Sequence, residues 1–73
     1  MDKSEHKDIL KKIGDNLKNI RQSKSLSLRK LAARCSIDHS DIGKIERGEK
    51  NATMLTMNQL AEALEVPLHE LFK

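Results

Sequence analysis

Between Asp38 and Gly48 the chain reads D-H-S-D-I-G-K-I-E-R-G, and Ile42 and Ile45 are its only large apolar side chains. Spaced at about 100° per residue, those isoleucines centre one buried helix face; Ser40, Gly43, Lys44 and Arg47 fall opposite, with His39 and Asp41 at the flanks. The outer face thus carries an imidazole, a hydroxyl, an ammonium and a guanidinium, groups that can hydrogen-bond to base edges and phosphates. It also carries a glycine, at about 1 kcal/mol of helix propensity relative to alanine. A merely solvated face has no use for that sacrifice, whereas a face that another surface must approach closely does.

The neighbouring residues supply what such a face needs to be held in place. Asp38 is a natural N-cap, Asp41 stands three residues on at the capping-box position, and Gly48 suits the C′ position that ends a helix. Upstream, Ser27 is an N-cap preceded by Leu26 as a hydrophobic staple, and Leu31 and Ala32 face inward from the helix it starts. Cys35-Ser36-Ile37 closes that helix, so two or three residues separate it from the next, a connection short enough to predict a helix-turn-helix. Arg29 and Lys30 occupy its first turn, where positive charge opposes the helix dipole by a few tenths of a kcal/mol each. That placement becomes favourable when a phosphate docks at the helix start.

Further out, Ile9, Ile13, Leu17 and Ile20 recur at helical spacing and predict an amphipathic helix from about Asp8 to near Ser23. After the polar run 49–53, Thr56-Met57-Asn58-Gln59 fits a capping box and predicts a fourth helix with Leu60, Ala61 and Leu64 on its inner face. Val66-Pro67 stops it, and Leu68 to Phe72 forms a short final helix. Residues 1–7 are charged and aperiodic and read as a disordered N-terminal arm; residues 8–73 read as one domain.

Composition agrees with a single all-α domain. The 73 residues include one Phe, no Trp or Tyr, one Pro and three Gly, which favours packed helices over a sheet. The net charge of +3 is unevenly spread: from Lys11 to Arg34 eight basic residues face Asp15 alone, whereas from Asn51 onward Lys73 stands against three glutamates. Localised positive charge suits a polyanion. One cysteine makes no internal disulfide, and the absence of a leader and of an apolar run of about 18 residues points to a reducing cytoplasm and to no membrane. His6, His39, His69 and Cys35 sit on different elements without metal-ligand spacing, and there is no Gly-rich phosphate loop. The expectation is no catalytic residue, no metal, no cofactor and no small-molecule substrate.

Four blocks in order carry a family resemblance: I-G-D-N-L-K-N-I-R at Ile13 to Arg21, L-S-L-R-K-L-A at Leu26 to Ala32, I-D-H-S-D-I-G-K-I-E-R-G at Ile37 to Gly48, and L-A-E-A-L-E-V-P-L-H-E-L-F at Leu60 to Phe72. They resemble the Cro/repressor-type (XRE-like) helix-turn-helix transcriptional regulators. The resemblance implies a compact five-helix, lambda-repressor-like fold that binds double-stranded DNA as a homodimer, with the recognition helix, about 38–47, in the major groove of a two-fold operator. It implies base contacts from His39, Ser40 and Lys44, joined by Gly43 for close approach, and a structural ion pair between Arg21 and Glu46. Backbone contacts are expected from Ser27, Arg29, Lys30, Asp41, Arg47, Lys50 and Asn51, with the Asp41 carboxylate serving the helix cap.

Three residues depart from the pattern. Leu28 stands where the family commonly has a phosphate-holding Gln, Ser36 replaces a turn Gly and would be strained at positive φ, and Asp41 brings a carboxylate beside the groove. For the dimer surface the expectation is Met54, Leu55, Met57, Leu68 and Phe72. Within the family, D-H-S-D-I-G-K-I-E-R-G-E-K-N and the short chain resemble the controller proteins of restriction–modification operons. The alternative is an antitoxin or protein-interaction adaptor on the same fold with weak or no operator specificity.

Overall fold

The reversal at the end of α3 shows how local sequence shapes this chain. In the computed structural model, which describes the backbone of residues 3–73 and side chains from His6 on, α3 (His39–Glu46) ends where Gly48 adopts φ 73°. The Gly48 amide donates to the Ile45 carbonyl (3.0 Å) and the Glu49 amide to the Lys44 carbonyl (2.9 Å), the paired bonds of a Schellman cap. The same arrangement closes α1 (Lys3–Ser23) and α4 (Met54–Leu64), but there the left-handed residues are Ser25 (φ 58°) and Glu65 (φ 60°). The remaining elements are α2 (Leu28–Ala33) and a 3-10 helix over Leu68–Phe72, so the expected all-α fold holds with its fifth helix in 3-10 form.

Three boundaries differ from expectation. α1 begins at Lys3 rather than near Asp8: the run K-S-E-H-K contains no Gly or Pro to break a helix. Of the expected arm, Met1 and Asp2 lie outside the described residues. α2 ends at Ala33, leaving 34–38 to turn the chain, and over this longer connection Ser36 needs no positive φ, so its expected strain does not arise. α4 is capped by Thr53, whose Oγ1 accepts from the Thr56 amide at 3.1 Å, and therefore starts three residues ahead of the T-M-N-Q box. Met54 and Leu55 become its exposed first turn.

Leu17, Leu31, Ile42, Leu60, Leu64 and Leu71 are fully buried, drawing one core residue or more from every element. Ile13 and Ile20 flank this core as predicted, but Ile9, expected on the buried face, is 48% exposed; it lies along a groove with His6, Leu10 and Asn51 rather than under another helix. Asn16 pins the chain end to α1, its Nδ2 donating to the carbonyls of Leu71 (3.1 Å) and Lys73 (2.9 Å). Among the described residues no helix is long and apolar enough to cross a membrane.

Two contacts bring α1 against α3. Arg21 and Glu46, 8% and 5% exposed, form a bidentate pair: Nε donates to Oε2 at 2.6 Å and Nη2 to Oε1 at 3.0 Å. Nη1 donates to the Leu26 carbonyl at 2.7 Å, so each guanidinium nitrogen is used. Beside them Gly14 lets the helices close: a Cβ on it would lie 2.4 Å from the carbonyl oxygens of both Ile45 and Glu46. Those oxygens belong to backbone that cannot rotate aside.

Two substitutions should separate these contacts. Gly14→Ala should cost at least the ~1–3 kcal/mol of ordinary overpacking, because backbone must move. Arg21→Ala should cost about 3–5 kcal/mol by stranding the Glu46 carboxylate, and Arg21→Ala with Glu46→Ala should recover part of it. Urea denaturation measures both; additive losses in the double variant would contradict the coupling.

Candidate nucleic-acid interface

α3 is only eight residues long, and its start is fixed by side-chain capping. The Asp38 carboxylate accepts from the Ser40 amide at 3.0 Å and also from the Ser40 hydroxyl. These bonds hold its pKa below the ordinary carboxylate value, with smaller help from nearby His39 and Arg29. Ser40 is thereby committed: with its proton given to Asp38, its oxygen is left to accept from a donor such as adenine N6 or cytosine N4. His39 sits one residue along and is half-buried, and Lys44 is exposed one turn further. Among the described residues Lys44 is in no ion pair, unlike Arg47 and Lys50.

Gly43, expected on the open face, is buried. A Cβ there would meet Arg47 Nη1 at 3.1 Å and Leu28 Cδ1 at 3.6 Å, so the Arg47 guanidinium lies over the glycine and α2 closes its side. A helical wheel could not show this, because the cover comes from the first residue of another helix and from a long side chain one turn on. Arg47 is held in turn by Glu49, with Nε donating to Oε2 at 2.7 Å and Nη2 to Oε1 at 3.4 Å. Asp41 does not complete a capping box: among the described residues its carboxylate accepts no bond from the Asp38 amide, and its Oδ1 instead lies 3.3 Å from Lys50 Nζ.

At α2, Ser27 Oγ accepts from the Lys30 amide at 3.0 Å, which fills the cap and leaves the hydroxyl proton to donate outward. Arg29, Lys30 and Asn51 are exposed. The long basic stretch is less uniform than its count suggests, because Arg21 is internal and Arg34 Nη1 donates to the Ala63 carbonyl at 3.3 Å. Of the residues expected at a dimer surface, Met54 (61%), Leu55 (70%) and Phe72 (38%) are exposed, whereas Leu68 packs half-buried on the core and Met57 is inside it. Glu49, Gly14 and Asn16 are the residues that sequence reasoning passed over; none stands in a local pattern that names its partner.

Two short helices around a five-residue connection, the second with a capped, donor-bearing outer face and a buried anchor, define a helix-turn-helix domain. The chain belongs to the helix-turn-helix family, whose sequence profile matches residues 17–71. It is 34% identical over 64 residues, 88% of this chain and 83% of the other, to an uncharacterized HTH-type transcriptional regulator, y4dJ, of Sinorhizobium fredii. It is 32% identical over 66 residues, 89% of each, to the control protein C.MunI of a Mycoplasma species. Its fold is similar to the crystal structure of the restriction-modification controller protein C.AhdI of Aeromonas hydrophila, with a TM-score of 0.84 and 38% identity over 86% of this chain and 96% of that one.

The Asp38 cap has a pH signature. Its folded pKa is depressed, so the stability it adds is fully present above the unfolded carboxylate pKa of about 3.9 and is lost as pH falls through the folded value. Asp38→Asn keeps a capping oxygen without the charge. The difference in melting temperature between wild type and this variant should be flat from pH 7 to 5 and shrink below about pH 4; a difference unchanged at pH 3 would contradict the assignment.

Proposed function

We propose that this protein is a non-enzymatic, cytoplasmic transcriptional regulator that binds double-stranded DNA sequence-specifically as a homodimer, with α3 in the major groove. The observation that carries this reading is the outer face of α3: His39, Ser40 and Lys44 stand outward on a helix anchored from behind by the buried Arg21–Glu46 pair. Membership of the helix-turn-helix family supports it, as does a relative named as a transcriptional regulator. Likeness to two control proteins favours a controller of a restriction–modification operon over an antitoxin or adaptor.

Lys44 donates to guanine O6 and N7, His39 hydrogen-bonds to a base edge or phosphate, and Ser40 accepts from an exocyclic amine. Ser27, Arg29, Lys30 and Asn51 hold the phosphate backbone, with Arg47 and Lys50 reaching it beside their carboxylate partners. Gly43 serves the interface by seating Arg47 instead of by admitting the DNA backbone. One domain reads about half a turn of groove, so two copies about 34 Å apart along the duplex provide useful specificity. The exposed Met54, Leu55 and Phe72 form the surface that joins them; Met54 and Phe72 line one groove with Leu10 and Ile13.

Gel shifts on the DNA upstream of the protein's own gene, over a salt series, test this reading. Lys44→Ala should relax preference at one base pair by roughly 1–3 kcal/mol, whereas Lys30→Ala should weaken all sequences alike and flatten the salt slope by about one. Sedimentation should find two chains per bound duplex. Salt-dependent binding with no sequence preference would favour the adaptor reading.

A further inference from the structure

We propose that Glu49 is a positioning residue for DNA reading: its carboxylate holds the Arg47 guanidinium across the bare Cα of Gly43, so that Arg47 meets the duplex as a fixed part of α3. The inference rests on the DNA-binding reading and goes beyond it, because Arg47 otherwise counts as one more mobile cation near the backbone.

Three independent features build the arrangement. The backbone of Glu49 is fixed beside α3, since its amide is tied to the Lys44 carbonyl at 2.9 Å and Gly48 at φ 73° turns the chain back. The two side chains meet through two nitrogens and two oxygens, at 2.7 and 3.4 Å, in the fork geometry that fixes a guanidinium plane. Gly43 provides the seat: a methyl group would come within 3.1 Å of Nη1, so a side chain there would shift the guanidinium by a few tenths of an ångström from its place. An exposed ion pair alone holds little, but one whose acid springs from a fixed backbone position and whose base rests against the neighbouring glycine has fewer alternatives. In agreement, the Arg47 pKa is raised and the Glu49 pKa lowered, each chiefly by their mutual hydrogen bond.

The consequence for DNA follows from geometry and charge. With Nε and Nη2 taken by Glu49, Nη1 and the remaining Nη2 proton are the donors left to Arg47, so it engages only a group placed in one direction. Any phosphate brought elsewhere near the pair meets a carboxylate as well as a guanidinium, and gains little. Glu49 therefore restrains sequence-independent attraction while leaving Arg47 competent in the aligned complex.

The test compares wild type, Glu49→Gln, Arg47→Ala, the double variant and Glu65→Gln, which removes one exposed acidic charge from the end of α4. Each is titrated against a 30-base-pair mixed-sequence duplex and against the site wild type enriches from a random duplex pool, over a salt series. Glu49→Gln should bind the mixed duplex several-fold tighter at about 0.1 M salt with a slope steeper by about one, and its preference for the enriched site should fall about tenfold. The effect should vanish when Arg47 is alanine. Equal behaviour of Glu49→Gln and Glu65→Gln, or a Glu49→Gln effect that survives Arg47→Ala, would reduce Glu49 to net charge and overturn the proposal. A wild type without salt-dependent duplex binding would instead overturn the DNA-binding reading beneath it. Matching melting curves for Glu49→Gln and wild type keep a folding defect from imitating either result.

Discussion

Arg21 and Glu46 are the two side chains that a small helical core would ordinarily keep outside, yet here they are buried against each other with every guanidinium nitrogen occupied. Removing such charges from water is costly, and the cost is offset only when geometry is complete. The completeness constrains everything around it: α1 must lie within reach of the end of α3, the carbonyl of Leu26 must turn inward at the loop, and Gly14 must have no side chain. An apolar pair could fill the space with less risk, but it would tolerate sliding. A forked pair has one register, and register decides which way the short α3 presents its outer face.

That face is more acidic than a simple polyanion-binding surface would be. Asp38 caps the helix, Asp41 lies near Lys50, and Glu49 holds Arg47. Unpaired cations attract any phosphate chain, with an affinity that falls steeply as salt rises. On the proposed DNA-binding reading, pairing some of them lowers that general attraction and leaves discrimination to groups of defined direction, such as the Lys44 ammonium and the half-occupied Ser40 hydroxyl. At α2, Arg29 and Lys30, in no ion pair among the described residues, lie beside a helix start already capped by Ser27. On that proposed reading, affinity and specificity are assigned to different elements.

Stability is distributed in the same economical way. All three Schellman reversals end helices that bury leucine or isoleucine, but only one uses glycine. Ser25 and Glu65 accept left-handed backbone because the bonds that close the turn, with a buried leucine next to each (Leu26 and Leu64), outweigh a cost of about 1–2 kcal/mol. Ser36, by contrast, avoids that conformation altogether because α2 stops early. The turn between the two helices is therefore looser in sequence requirement than the ends of α1 and α4.

Read alone, the sequence determined what depends on neighbours a few residues apart. Leu17, Leu31, Ile42, Leu60 and Leu64 were legible as core because helical spacing places them on one face, and Ser27, Asp38 and Gly48 were legible as helix ends because capping is local chemistry. The Arg21–Glu46 pair was reached only through family resemblance, since 25 residues separate its partners. What tertiary structure alone decided are the places where a second element covers the first. Gly43 looked open until α2 and Arg47 closed over it, Met57 looked available until the core took it, and Ile9 looked buried although it lies in an open groove beside Asn51. Periodicity states which residues share a side; only packing determines whether anything lies against that side, because the covering groups come from distant residues whose positions no local spacing encodes.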